Sequence, residues 1–408
     1  RDFMMRDTGA LGKNFPLENG CRIPLKYGFE LFYIDQSEDR KKSLADYPYT
    51  MVPKCYTTLD MAAIQQAGIA AVQNIPGLEL SGEGVLVGII DTGINYLDPI
   101  FRNLDGSTRI QRIWDQEEQS GTAPREIGYG SEYTKEQINQ AILSENPKET
   151  VPSFDTDGHG TFVASVACGG ANPENLFIGA APEAEMVIVK LKEAKEYLRE
   201  YYFVDRDAGC YQENDLVAAV FYLQKVQEEL KRPLVICLAV GTSFGGHGGY
   251  SILSEYLQNV AASEGIGIVT GSGNEADKRH HYLGILEQEN NLPVEINVGN
   301  NTRGFVMELW TELPNLLALS IASPTGQTVG PISLKRGIGE YVFVFEQTRV
   351  IFNYRVLVET TGAQLAFFQF DRPGSGIWKM IPETLELGNG IFHIWLPMEE
   401  FLTGNVYF

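Results

Sequence analysis

The sequence predicts an α/β fold: a parallel sheet with helices on both faces, followed by an antiparallel β-sandwich of the jelly-roll kind. Three observations carry this. The apolar runs VLVGII (85–90), MVIVKL (186–191), LVICLAV (234–240) and IGIVT (266–270) read as strands buried on both faces. Helical patterns separate the last three, and strand alternating with helix means a parallel sheet. From about residue 291 helices vanish. FVMELW, LLALSIA, YVFVFE, VIFNYRVLVE, LAFFQF and IFHIWLP follow one another, β-rich and punctuated by Gly, Pro, Asn and Asp.

Taken in order, residues 1–56 are mixed. KYGFELFYI predicts a strand, DQSEDRKKS a charged loop or helix start, and Pro53 interrupts the segment. Residues 57–290 form the α/β part. Within it the stretch from Asn103 to Lys148 is a polar loop, with one short helix over YTKEQINQAIL (133–143). Asp215 is expected to cap a helix in which Leu216, Val220, Leu223 and Val226 share a face. Ser251 caps another, with Leu253, Leu257 and Val260 inward. Residues 291–408 form the sandwich. A length of 408 residues fits this division into two or three domains.

Composition bounds the function. Apolar content of 44% and charged content of 21% are ordinary for a folded protein. No run of about 18 apolar residues predicts a membrane span. The net charge is −21, and no Lys/Arg cluster offers a phosphate-binding surface, which argues against nucleic acid. The five cysteines are scattered and never in CxxC spacing, so neither a zinc site nor a disulfide framework is expected; Cys168 and Cys237 read as buried thiols. The chain opens at Arg1 without a signal-like segment and closes in NVYF as if inside a strand. Both ends are therefore expected to be cut from something longer.

Three motifs carry chemistry. In GIIDTGI an apolar strand ends in Asp91, at the sheet end where open α/β folds place their sites. In DTDGHGTFVASVACGG, His159 stands between glycines at the head of a small-residue helix, which admits close approach to the imidazole. In IVTGSGNEA a strand ends in Gly271, Ser272 and Gly273, then Asn274, whose amide can donate to a developing oxyanion. Read singly, Asp91 and Asn274 fit ordinary turn residues as well as they fit a site. Together they follow the order Asp, His, then Ser, in which the Asp orients the His and the His takes a proton from a hydroxyl.

DTG, DGHGT and GSGN resemble the subtilisin-like serine proteases, over about residues 57–290. STRIQRIWDQ, YTKEQINQAI and the β-rich stretch after Asn274 resemble, more narrowly, the clostridial germination-protease (Csp) branch. The resemblance implies a subtilisin-like fold with the sandwich as an insertion. It implies Asp91 and His159 as triad members and Asn274 in the oxyanion hole. Ala239, Val240 and Gly241 would pair with substrate, Gly271, Ser272 and Gly273 would wall the pocket, and residues 1–56 would be the tail of a propeptide. It further implies a protein or peptide substrate, no required cofactor, and a secreted or spore-associated bacterial protein. Departures are Phe162 where a second His is common, Ser165 for a Gly, and Leu97-Asp98-Pro99 for a His-Pro.

Gly241-Thr242-Ser243 spells the GTS of a nucleophile, but the residue precedes Asn274, opens no small-residue helix and is followed by FGGHGGY, a poor helix former. The serines after Asn274 (Ser320, Ser323, Ser333 and Ser375) lack that context. The nucleophile is therefore expected beyond residue 408. His280 and His281 read as a basic surface turn, and His247 as a loop residue near the cleft. Asp155 and Asp157 read as turn formers, since no DxDxDG calcium loop is visible and no metal site is indicated. The expected activity is peptide-bond hydrolysis by an Asp-His-Ser triad. The rival is a pseudoprotease that binds a partner without cleaving. A third reading, a binding module on the sandwich, draws on Trp378 and Trp395 as exposed aromatics.

Overall fold

The computed structural model describes residues 1–6, 20–34, 43–58, 68–73, 75, 77, 80–172, 177–286, 293–332, 337–358, 361–386 and 390–408. All of DQSEDRKKS but its last residue, and Ser333, lie outside them.

The leader forms an antiparallel sheet of β1 (Asp2–Arg6), β2 (Gly20–Pro24) and β3 (Phe29–Ile34), with β3 central. Only FELFYI of the predicted strand is extended; Lys26–Gly28 is a 3-10 turn in which Tyr27 takes φ 62°. One face of the sheet is apolar, and Met4, Ile23, Phe29 and Leu31 are buried in one core with Leu216, Val220 and Tyr256. The chain then reaches β4 (Cys55–Thr58).

The α/β part runs through α1 (Ile69–Gln73), β5 (Leu86–Asp91), β6 (Ile110–Asp115), β7 (Ser131–Thr134), α2 (Lys135–Leu143), α3 (Pro147–Thr150), α4 (His159–Cys168), β8 (Glu185–Lys190), α5 (Glu196–Tyr202), β9 (Tyr211–Gln212), α6 (Glu213–Leu230), β10 (Leu234–Leu238), β11 (Val240–Gly241), α7 (Ile252–Ala261) and β12 (Ile266–Thr270). Its main sheet has the order β12-β10-β5-β8-β6-β7, parallel except for β6–β7. Alternate residues feed two cores. Leu86, Ile90, Val187 and Val189 face α6 and α7, while Val87, Ile89, Met186 and Ile188 face α4.

Several expectations are corrected. The polar loop 103–148 contains two strands, β6 and β7. They carry no apolar run because Gln111 and Arg112 interrupt it, the first bonded to Glu185 and the second to Glu229 at 3.0 Å. LVICLAV breaks after Leu238, and β11 turns away to pair with β4. Asp215 is not a cap: α6 starts at Glu213 with Gln212 before it. Asp215 lies buried in the first turn, where Tyr129 and Asn214 each donate to Oδ1 at 3.1 Å and the Lys192 ammonium pairs with it. The predicted inward face of that helix is buried throughout. Ser251 does cap α7, accepting the Ser254 N–H at 3.0 Å, and Thr134 and Gln137 make a capping box on α2.

The sandwich consists of β13 (His281–Ile285), β14 (Val294–Val298), β15 (Gly304–Glu312), β16 (Leu316–Ala322), β17 (Thr328–Ile332), β18 (Ile338–Phe343), β19 (Thr348–Arg355), β20 (Ala363–Asp371), β21 (Gly376–Glu386), β22 (Ile391–Trp395) and β23 (Val406–Tyr407). The two sheets are β13-β22-β15-β20-β19-β18 and β17-β16-β21-β14-β23. Its first strand precedes residue 291. Phe305 stacks on Phe370 at 4.6 Å in the core between them. Trp378 is buried there and donates to the Gly374 carbonyl at 2.8 Å, so it is a core residue rather than an exposed aromatic.

A further core joins the three parts. Phe3 and Phe32 of the leader, Leu198, Tyr202 and Phe244 of the α/β part, and Val306, Trp310, Phe367 and Phe401 of the sandwich pack together. The described residues contain no helix long and apolar enough to cross a membrane.

Candidate active site

Asp91 ends β5 with no solvent exposure, and His159 opens α4. His159 Nδ1 lies 2.7 Å from Asp91 Oδ1, which also accepts the Thr92 N–H at 2.7 Å. Burial pushes the Asp91 carboxyl up, while the hydrogen bonds from His159 and Thr92 pull it back; the net direction is upward. An imidazole held this way keeps one ring nitrogen committed to a carboxylate and turns the other outward from the pair, the arrangement a general base requires.

The backbone around the pair is tight. A Cβ on Gly160 would sit 2.3 Å from the Gly93 carbonyl oxygen, so no side chain fits there. The Gly160 N–H donates to Thr92 Oγ1 at 2.8 Å. Gly158 has φ +99°, in the left-handed region glycine favours. Asp155 fastens the two motifs to each other. Its Oδ1 accepts from Thr92 Oγ1 at 2.9 Å and from the Gly158 N–H at 2.8 Å, and its Oδ2 accepts from the Thr161 N–H and hydroxyl at 2.8 and 2.6 Å. Burial works against the Asp155 charge, but these donors hold its carboxyl below the ordinary range. It is a turn former, as read, and also a strut between the Asp91 and His159 loops, a role the sequence did not reveal.

The other expected residues lie at the same end of the sheet. Ile90, Leu238 and Thr270 are level in the registers of β5, β10 and β12. At ordinary strand spacing the ends of β5 and β12 are therefore about 10 Å apart. Gly271, Ser272, Gly273 and Asn274 follow β12 and are exposed. Ala239 and Val240 are buried, and Gly241 is half-buried. β11 is paired: Val240 faces Thr58 and Gly241 faces Thr57, antiparallel. On its other side β4 pairs with β9, Tyr56 facing Tyr211. The leader thus lays an extended strand between two edges of the α/β part.

Ser243 is buried in the non-helical loop after β11. Its neighbours are engaged elsewhere: the Phe244 ring stacks on Tyr202 at 4.5 Å, and the Gly245 N–H donates to Glu308 at 2.9 Å. The reading of His280 and His281 as a surface turn holds only in part: His281 is exposed but opens β13 rather than a turn. His280 is buried and bonds Glu275 through Nδ1 at 2.7 Å. His281 and His247 both stack on Trp395, at 3.8 and 3.7 Å. His281 Nε2 is also 2.9 Å from His393 Nδ1. The described residues hold no group of three or more His, Cys, Asp or Glu placed for a metal ion.

The subtilase family profile matches residues 82–302, more than half of the chain, and the protein belongs to that family of subtilisin-like serine proteases. Among solved structures it is similar to the CspB protease of Clostridium perfringens, with a TM-score of 0.70 and 28% identity over 83% of this chain and 66% of that one. Among curated proteins it is 33% identical to subtilisin-like protease SBT2.2 of Arabidopsis thaliana over 102 residues, 23% of this chain and 12% of that protein. It is 25% identical to the subtilisin of Bacillus sp. (strain TA39) over 218 residues, 52% of this chain and 40% of that protein. The chain therefore spans less than half the length of these curated relatives.

Proposed function

We propose that the whole protein is a serine endopeptidase that uses Asp91, His159 and a serine beyond Phe408. The observation that carries this is the part-buried contact of 2.7 Å between His159 Nδ1 and Asp91 Oδ1 at the carboxyl end of the parallel sheet. In this reading the serine Oγ attacks a peptide carbonyl and His159 takes its proton. Asp91 stabilises the imidazolium, and the Asn274 amide donates to the oxyanion. His159 then protonates the leaving amine, and water, activated by the same imidazole, releases the acyl group.

The position of Ser243 supports looking elsewhere for the nucleophile, since it begins no helix and its loop is tied to the sandwich. β12 is an edge strand with Val269 59% exposed, which suits a sheet that continues with another strand. Residues 1–56 act in this reading as a propeptide, and β4, which begins in that segment and continues through Thr57 and Thr58, lies along β11 as an extended substrate would. Val240 and the glycines after β12 then form the wall of the cleft.

The test is labelling of the full-length protein with a serine-directed fluorophosphonate. The label is expected on a serine outside residues 1–408, with peptide cleavage abolished by His159→Ala. Label on Ser243 overturns the assignment. Absence of any labelled serine, with a partner bound but not cut, favours the pseudoprotease.

A further inference from the structure

The strand β4 is contacted by the sandwich as well as by β9 and β11. The Thr57 side chain is 1% exposed, and its hydroxyl donates to Glu400 Oε2 at 2.6 Å. Thr57 is the residue that faces Gly241 in the β4–β11 register, at the end of the stretch expected to pair with substrate. Glu400 lies in the 3-10 turn Glu399–Phe401, which follows β22. That turn is held in place from several sides. The Glu399 N–H donates to Glu275 Oε2 at 3.1 Å, and Lys278 pairs with Glu399 at 2.7 Å. The Asp205 N–H donates to the Phe401 carbonyl at 2.8 Å. Glu275 directly follows Asn274, so the segment that carries the expected oxyanion residue also positions the turn of Glu400.

We infer that Glu400 is a specificity-determining residue: it selects a hydroxyl-bearing side chain, Thr or Ser, at the Thr57 position of any extended peptide lying between β9 and β11. This rests on the reading of that groove as the substrate cleft. An acceptor-only carboxylate at 2.6 Å from this position rewards a donor and offers nothing to a Val of the same shape. A strand bound between two edges obtains its backbone hydrogen bonds whatever its sequence, so side-chain contacts of this kind supply the discrimination. Because Glu400 belongs to the sandwich, that domain would contribute directly to substrate choice.

The experiment is a double-mutant cycle. Amide exchange at residues 55–58 is followed in the 408-residue chain bearing Thr57→Ser, Thr57→Val, Glu400→Ala, or Thr57→Val with Glu400→Ala. Thr57→Ser is expected to leave exchange nearly unchanged. Thr57→Val and Glu400→Ala should each speed it by about fivefold to tenfold, the range for one charge-assisted hydrogen bond at a partly exposed acceptor, and the double variant should be no faster than the singles. Multiplicative effects in the double variant, or no effect of Glu400→Ala, overturn the inference. In the full-length protein, kcat/KM for peptides with Thr at this position should exceed that for Val by a similar factor, and Glu400→Ala, which leaves no acceptor, should abolish the preference. An equal preference in both proteins overturns it as well. If the full-length protein cleaves no peptide, the endopeptidase reading fails, and the exchange cycle still decides whether Glu400 reads the hydroxyl.

Discussion

The corner that holds Asp91 and His159 and the junction around Glu308 are both buried and polar, yet they are assembled by opposite means. In the corner, the partners of the two loops are Thr92, Asp155, Gly158 and Thr161, all within the two quoted motifs. In the junction, Glu308 of β15 has no solvent exposure and accepts from three separate regions. The Tyr49 hydroxyl comes from the leader, the Gly245 N–H from the loop after β11 at 2.9 Å, and Trp310 Nε1 from its own strand at 2.9 Å. Burial pushes the Glu308 carboxyl up, and these donors, with Lys54 nearby, moderate it. Short-range motifs thus set the chemistry, while contacts far apart in sequence hold the parts around it.

Substitutions at the two places should separate these roles. The largest effect is expected from Asp91→Asn in the full-length protein: kcat should drop about 10⁴-fold, as for a triad that loses its orienting carboxylate. Its folding midpoint should hold or rise, because a buried charge is removed. Comparable losses in activity and stability would mean that the corner is structural only. Gly160→Ala comes next. The added methyl group meets the Gly93 backbone rather than a flexible side chain, and a loss of about 3 kcal/mol is expected in chemical denaturation. An unaltered midpoint would mean that the two loops are free to part.

Glu308→Gln places an amide N–H among donors. A destabilisation of about 2 kcal/mol is expected, with faster amide exchange at Gly245 and around Tyr49 but not at Thr92. Exchange that rises equally at both places would erase the contrast. The smallest effect concerns His247. Burial, with His281 and His393 nearby, pushes it down from 6.5 to about 4. The unfolded chain therefore takes up that proton first, and stability is lost as pH falls from about 6.5 toward 4. The contribution is about 1 kcal/mol once solvent screening is allowed for. It should appear as a flatter pH–stability curve in His247→Gln.

The same contrast explains what was legible in the sequence. IGIVT became β12 residue for residue, and the helix cap at Ser251 was legible because it rests on a neighbour in the chain, Ser254. Asp215 was misread because its partners, Tyr129 and Lys192, are distant in sequence, and a buried Asp near a helix start looks like a cap. β6 was missed because its polar residues are neutralised by Glu185 and Glu229, which no local window contains. His281 was read as part of a turn rather than as the start of β13 for the same reason: its strand partner Trp395 arrives more than a hundred positions later. Glu400 left no signal, since nothing around it suggests that the turn returns to β4.

The position of β4 has a consequence for how the groove is regulated in time. The strand belongs to the same chain as the two edges it lies between, so its presence there is an intramolecular event. Covalent connection of this kind gives an effective concentration on the order of millimolar. In the endopeptidase reading proposed above, a free peptide at micromolar concentration would therefore rarely displace it, and diluting the protein would not empty the groove. A cut in the chain beside β4 would make the strand a separate ligand whose occupancy would then fall on dilution. The switch from closed to open would follow the kinetics of a single cut rather than the supply of substrate.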